Sequence, residues 1–191
     1  MATLPDTPLT EERYLETERL AETKSEFHDG QMFAMAGGSF NHSVLALNVA
    51  LLLRQRVSPG CTTLNSDMRI KIQAGGVFTY ADCLIICGPP QFDSGRTDVI
   101  LNPLLIVDVL SPSTEGYDRG KKFELYRTIP SFREYLIVHQ DRRHVEHFSK
   151  QDDGSWLLRE YAGESASVAI ARIGAQISLA ELYASAFDIT S

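Results

Sequence analysis

Two aspartates stand inside the most apolar runs of the chain, Asp82 in VFTYADCLIICG and Asp108 in LLIVDVLSPST. An Asp is almost never fully buried unless something pairs with it. An uncompensated charge in such a run costs several kcal/mol or more. Taken singly, each acid has a structural explanation: Asp82 could bridge to Arg69, and Asp108 could cap a turn or accept from Ser111. Taken together, they fall in consecutive expected strands, whose facing side chains lie about 5 Å apart. Like charges that close repel, and one carboxyl pKa rises unless a cation lies between them. A hard divalent ion resolves the conflict, since Mg²⁺ takes one or two carboxylates and completes its shell with water. Asp108 is best explained as a metal ligand. The next helix supplies Lys121 and Lys122 in YDRGKKFELY. Lys122 shares a helical face with Asp118, Leu125 and Tyr126, so it turns towards the sheet, while Lys121, about 100° away, reaches solvent. A lysine beside such a site can orient or deprotonate a water and neutralise growing negative charge.

The elements that must hold these groups follow from periodicity and punctuation. Thr10 caps a helix to about Thr23, with Glu11 and Glu12 at its positive end and Leu9 stapled onto Tyr14. EFHDGQMFAMA reads as a hairpin turning at Asp29-Gly30. Ser39 to Val57 is a second helix, closed by Ser58-Pro59-Gly60. Three strands follow: CTTLNSDMRIKIQ, VFTYADCLIICG and LLIVDVLS. A helix capped by Asp118 runs from Arg119 to Thr128. FREYLIVHQ is the next strand, HVEHFSK, WLLREYA and SVAIARI form a meander, and SLAELYASA closes the chain as a helix. The order helix, three strands, helix, strand defines an α/β sandwich whose central strands are buried on both faces. No repeat or linker divides residues 1–191, so one domain is expected.

Composition narrows the function. The chain has 191 residues, 43% hydrophobic and 23% charged, with a formal net charge of −7. That balance opposes non-specific polyanion binding, so a nucleic-acid partner would need a local basic surface. Arg54, Arg56, Arg69, Lys71, Arg119 and Lys121 are the groups available for it, with Arg69 and Lys121 the candidate substrate contacts. Cys61, Cys83 and Cys87 form no C-x-x-C pair. Read as an unpaired set, they suit a reducing cytoplasm. The N-terminus lacks a signal-peptide pattern, and VLALNVALLL is too short to span a bilayer. Asp67 and Arg69 share a strand face and suit an ion pair. His144 and His147 point to opposite faces, which argues against zinc. No phosphate-binding glycine loop or serine-hydrolase elbow is present.

Asp82 followed by Asp108 one strand later resembles the PD-(D/E)xK signature of restriction-endonuclease-like nucleases. EFHDGQMFAMAGGSFNHS, SDMRIKI, VFTYADCLIICG and LLIVDVLSPSTEGYDRGKKFELYRTIPSFREYLIV are similar to the Uma (Uma two) endonuclease family, from about Tyr14 to Tyr183. The four-residue motif is weakly specific; the stretch from Leu104 to Val138 is much more so. The resemblance implies a restriction-endonuclease-like core with an extra β-hairpin and a C-terminal meander. It makes Asp82 the first-strand metal ligand, Asp108 the (D/E) position and Glu26 the acid completing the metal site. Leu110 occupies the motif's lysine position, and the lysine role passes to Lys122. His42 becomes a candidate phosphate contact.

The activity implied is Mg²⁺- or Mn²⁺-dependent endonucleolytic hydrolysis of nucleic-acid phosphodiesters, with DNA the first expectation. Two departures stand out: Ala81 replaces a proline, and Asp108 is one methylene shorter than the family's more usual Glu. They keep two other readings open, a degenerate nuclease fold that binds without cutting and a metallohydrolase acting on small phosphates. The apolar edge strands near the C-terminus suit a homodimer.

Overall fold

The computed structural model describes residues 8–35 and 37–187. Helix α1 spans Glu11–Leu20, and Thr10 caps it by accepting from the Arg13 amide. Strands β1 (Ser25–His28) and β2 (Gln31–Ala34) form the expected hairpin. Its turn residues Asp29 and Gly30 have φ of 49° and 75°, the two positive values that a type I′ turn requires. A Cβ on Gly30 would meet Pro8 Cβ at 2.6 Å, so glycine also lets the preceding chain pack against the turn. Helix α2 covers Phe40–Arg56, with Ser39 accepting from the His42 amide at its start.

The next two long apolar runs are each broken in two. CTTLNSDMRIKIQ becomes β3 (Cys61–Asn65) and β4 (Arg69–Ile72), and VFTYADCLIICG becomes β5 (Val77–Tyr80) and β6 (Cys83–Cys87). The halves belong to different sheets. One sheet has the order β2-β1-β5-β4-β7, with β7 at Val99–Ile100; the other has the order β11-β10-β9-β8-β6-β3. In the latter, β8 is Leu105–Val109, β9 Glu134–Val138, β10 His144–Lys150 and β11 Trp156–Ala162. Asp82 therefore sits at a corner between sheets, not within a strand, and is part-exposed.

Strands β8 and β9 are parallel and joined by helix α3, residues 115–126. It is α-helical at Glu115–Tyr117 and Phe123–Tyr126, with a π-helical turn at Asp118–Lys122. The helix starts earlier than Asp118, and that residue is buried inside it instead of capping it. Strand β12 (Ser167–Ile170) leaves the meander and pairs with β13 (Ala175–Ser178), before the short helix α4 (Leu179–Leu182).

Every residue of β8 and of β9 is buried, as expected for strands covered on both faces. Leu105, Val107 and Val109 pack with Leu45, Val49 and Leu53 of α2, while Ile106 and Leu110 join Phe123 and Tyr126 of α3. Strand alternation thus sends Asp108 to the α3 face. Burying one such Leu, Ile or Val is worth about 1.5–3 kcal/mol. The cysteine expectation fails for Cys61 and Cys87. They oppose each other across β3 and β6, with Cα atoms 4.0 Å apart, and are disulfide-bonded; Cys83 is free and buried. Spacing along one strand could not reveal a pairing between two. Among the described residues, no helix is long and apolar enough to cross a membrane.

Candidate active site

Lys122 is the centre of the site. Its Nζ lies 3.2 Å from Asp108 Oδ1, 3.4 Å from Asp118 Oδ1 and 3.7 Å from Glu26 Oε1. Each partner comes from a different backbone setting. The hairpin strand β1 presents Glu26, the buried strand β8 presents Asp108, and the π turn presents Asp118 and Lys122 itself. Tyr135 on β9 donates to Asp108 Oδ2 at 2.7 Å and lies 3.3 Å from the Asp118 carbonyl oxygen, which it can also meet. Thr79 of β5 donates to Glu26 Oε1. Asp108 is 3% exposed and Lys122 6%.

Burial pushes the Asp108 carboxyl up, with Asp118 and Asp82 adding to the rise and Lys122 and Tyr135 opposing it. Burial works against the Lys122 ammonium, but Asp108 and the other anionic neighbours outweigh it and hold its pKa well above the ordinary lysine value. Lys122 is therefore a fixed positive charge.

Asp82 adjoins this cluster without entering it. Its Oδ2 accepts from the Val109 amide at 2.7 Å, which pins the corner to β8 one residue beyond Asp108. His42, in the first turn of α2, brings Nε2 to 3.5 Å from the same oxygen. A Cβ on Gly38 would lie 2.8 Å from His42 Nδ1, so glycine permits the close approach of the loop.

The other expected residues are placed as follows. Lys121 is exposed and pairs with Glu124 at 3.4 Å. Arg69 is buried elsewhere: it donates to the Tyr80 hydroxyl at 2.8 Å, approaches Asp98 at 3.5 Å and lies over the Tyr14 and Tyr80 rings. The expected Asp67–Arg69 pair does not form, because Asp67 sits in the turn after β3 and binds Lys24 at 2.7 Å. The bridge from Asp82 to Arg69 is likewise absent. The expected basic surface is largely neutralised, with Arg56, Arg69, Lys71, Arg119 and Lys121 each facing a carboxylate. Asp118 and Tyr135 join the Lys122–Asp108 cluster, and sequence reasoning did not assign them to the candidate site. The four-residue spacing to Lys122 could have identified Asp118; a tyrosine inside an apolar strand carries no comparable signal.

Among the described residues, no three His, Cys, Asp or Glu side chains close into a metal cage. Lys122 Nζ fills the point that Glu26, Asp108 and Asp118 share. The donor chemistry still fits a hard ion. Asp82 and Asp108 offer only oxygens from adjoining positions, and Mg²⁺ or Mn²⁺ needs no more than one or two carboxylates plus water.

A parallel β8–α3–β9 unit with antiparallel neighbours and acids at its carboxyl end defines the restriction-endonuclease-like class. The crystal structure of a putative nuclease belonging to DUF820, from Anabaena variabilis ATCC 29413, has the same fold. It matches with a TM-score of 0.73 at 16% identity, over 93% of this chain and 98% of that one. Two Synechocystis sp. (strain ATCC 27184 / PCC 6803 / Kazusa) proteins are similar in sequence. Uncharacterized protein slr1290 is 40% identical over 158 residues, 82% of each chain. Uncharacterized protein sll1609 is 39% identical over 161 residues, 84% of this chain and 91% of its own. The family model Uma2, described as "Putative restriction endonuclease", matches residues 11–180. The chain belongs to the Uma2 family.

Proposed function

We propose that the protein is a divalent-metal-dependent endonuclease that hydrolyses phosphodiester bonds of nucleic acid, with DNA the first substrate to test. The observation that carries this reading is the surplus of acid around one buried lysine. Glu26, Asp108 and Asp118 all lie within 3.7 Å of Lys122 Nζ, with Asp82 beside them. One ammonium needs one carboxylate for neutrality, and further buried acids repel each other. Such an excess is useful where more positive charge arrives with ligands.

In this reading Asp82 and Asp108 hold Mg²⁺ or Mn²⁺, with Glu26 as the nearest further carboxylate. Held there, such an ion would supply Lewis acidity at the phosphate and would acidify a water for the attack. Tyr135 fixes the Asp108 carboxylate through its 2.7 Å hydrogen bond. Lys122 is held too firmly protonated to serve as a base; it offsets negative charge growing on the phosphoryl oxygens. His42 can donate to a phosphate oxygen from the rim, and Lys121 can steer the backbone once its exposed pair with Glu124 opens, since such pairs are weak.

A second reading keeps the fold without cleavage. It is favoured by the position of Lys122, which already neutralises the acids, and by the pairing of most basic side chains. Calorimetric titration with Mn²⁺ of wild type, Asp82→Ala and Asp108→Ala separates the two, followed by cleavage of supercoiled, linear duplex, single-stranded and mononucleotide substrates. Wild-type binding lost in both folded variants, together with divalent-dependent cutting of polynucleotide, supports the endonuclease. No binding at millimolar metal in a folded wild type overturns it. Hydrolysis confined to mononucleotides would move the substrate class to small phosphates.

A further inference from the structure

Helix α2 is apolar on two sides. Leu45, Val49, Leu52 and Leu53 face the core. On the other side Phe40, Leu47 and Leu51 are 56%, 69% and 50% exposed, with Val44 half-buried between them. Positions 40, 44, 47 and 51 follow the four-three-four spacing of a helix-packing seam. A helix that is apolar all round is normally covered on every side.

We infer that this seam is covered by α2 of a second copy of the chain, packed antiparallel about a two-fold axis near Leu47. The sequence is self-complementary in that register. Leu47 meets the partner's Leu47, Val44 meets the partner's Leu51, and Phe40 meets the partner's Arg54 in a cation–π contact. Charge points the same way. The chain carries −7, yet FNHSVLALNVALLLRQR contains no acidic residue, so two copies of this helix meet without carboxylate repulsion. Among the described residues, Arg54 has no carboxylate partner in its own chain. Phe33 and Met35 are also exposed, 49% and 39%, just before α2 in the chain. A standard interface covers about 800 Å² per partner. The seam comprises four side chains on each helix, so a reversible dimer is expected. The inference does not depend on the chemistry at Asp108.

Sedimentation velocity of the full chain, from micromolar to sub-millimolar concentration, tests the association. Wild type should move from the 21.3 kDa monomer towards twice that mass. Leu47→Glu should stay monomeric with unchanged circular dichroism, its dimer weakened by at least about tenfold. Cysteine cross-linking tests the register against a low background, since Cys83 is buried and Cys61–Cys87 is bonded. Leu47→Cys should couple to itself through a short bis-maleimide. Phe40→Cys should couple only when mixed with Arg54→Cys. The proposal fails if wild type stays monomeric throughout, if Leu47→Glu associates like wild type, or if Phe40→Cys couples to itself as readily as Leu47→Cys.

Discussion

Among the described residues one lysine and one arginine are buried, and the protein treats them differently. Arg69, the first residue of β4, has a single carboxylate nearby, the half-exposed Asp98 at 3.5 Å, and otherwise rests on the Tyr80 hydroxyl and two tyrosine rings. Lys122 has three carboxylates within 3.7 Å. The first arrangement supplies only the partners a buried cation needs. The second holds more negative charge than its cation can offset, and burial has already driven the Asp108 carboxyl upward. A group that serves stability alone has no reason to be over-supplied with acid. The contrast supports the proposal that the Lys122 cluster, not the Arg69 cluster, is the binding site.

Removing each cation sharpens the contrast most. Lys122→Met should destabilise by about 3–5 kcal/mol, the range for stranding the partner of a buried ion pair. Arg69→Met should cost about 1–3 kcal/mol, because it strands the buried Tyr80 hydroxyl while its carboxylate partner Asp98 is half-exposed. Lys122→Met should be the more damaging, because it strands three acids. Urea unfolding measures both, and a smaller loss at Lys122 would break the comparison.

Divalent metal should act on one region alone. Mn²⁺ at one hundred times its Kd should add about 2.7 kcal/mol by mass action to wild type and to Arg69→Lys. It should add nothing to Asp82→Ala or Asp108→Ala. Equal stabilisation of all four proteins would remove Asp82 and Asp108 from the binding site.

Tyrosine truncation probes the hydrogen bonds. Tyr80→Phe leaves Arg69 Nε and Glu18 without their shared hydroxyl and should cost about 1–3 kcal/mol. Tyr135→Phe releases Asp108 Oδ2 while Oδ1 keeps Lys122 at 3.2 Å, and it should cost less while weakening Mn²⁺ binding.

Acidity gives a signed test. The Asp108 pKa is raised from 3.8 to about 7 in the folded metal-free protein, so the folded state binds this proton more tightly than the unfolded chain. The resulting stability is full below pH 4 and is lost as pH rises through 7. Wild type measured relative to Asp108→Asn should therefore lose stability across that window. A relative gain would reverse the assigned shift. The smallest effect belongs to Lys121→Ala, within about 0.5 kcal/mol of wild type because the side chain is exposed.

The legible parts of the sequence were those with local punctuation. Thr10 and Ser39 cap their helices, Asp29-Gly30 turns its hairpin, and the helical spacing places Lys122 inward and Lys121 outward. The illegible parts lie where chain direction changes without glycine or proline. Asn65-Ser66-Asp67-Met68 and Ala81-Asp82 each carry the chain from one sheet to the other inside what reads as a single strand. Asp82 therefore looked like a mid-strand acid, and Arg69 looked available to it. Pairings between distant segments, such as Cys61 with Cys87 or Tyr135 with Asp108, leave no periodic trace. The Asp118 carboxylate was visible but was read as a cap, because the π turn that buries it cannot be read from helical spacing.

That turn has an evolutionary consequence. A π turn is what an α-helix becomes when it absorbs one additional residue, and such bulges recur at functional sites. Here the inserted length lies within Asp118–Lys122, where Asp118 and Lys122 meet. A descendant that deleted one residue between them would regain an ordinary helix and swing Lys122 about 100° from its acids. Homologues that keep this chemistry should therefore tolerate insertions and deletions around the segment and conserve its length.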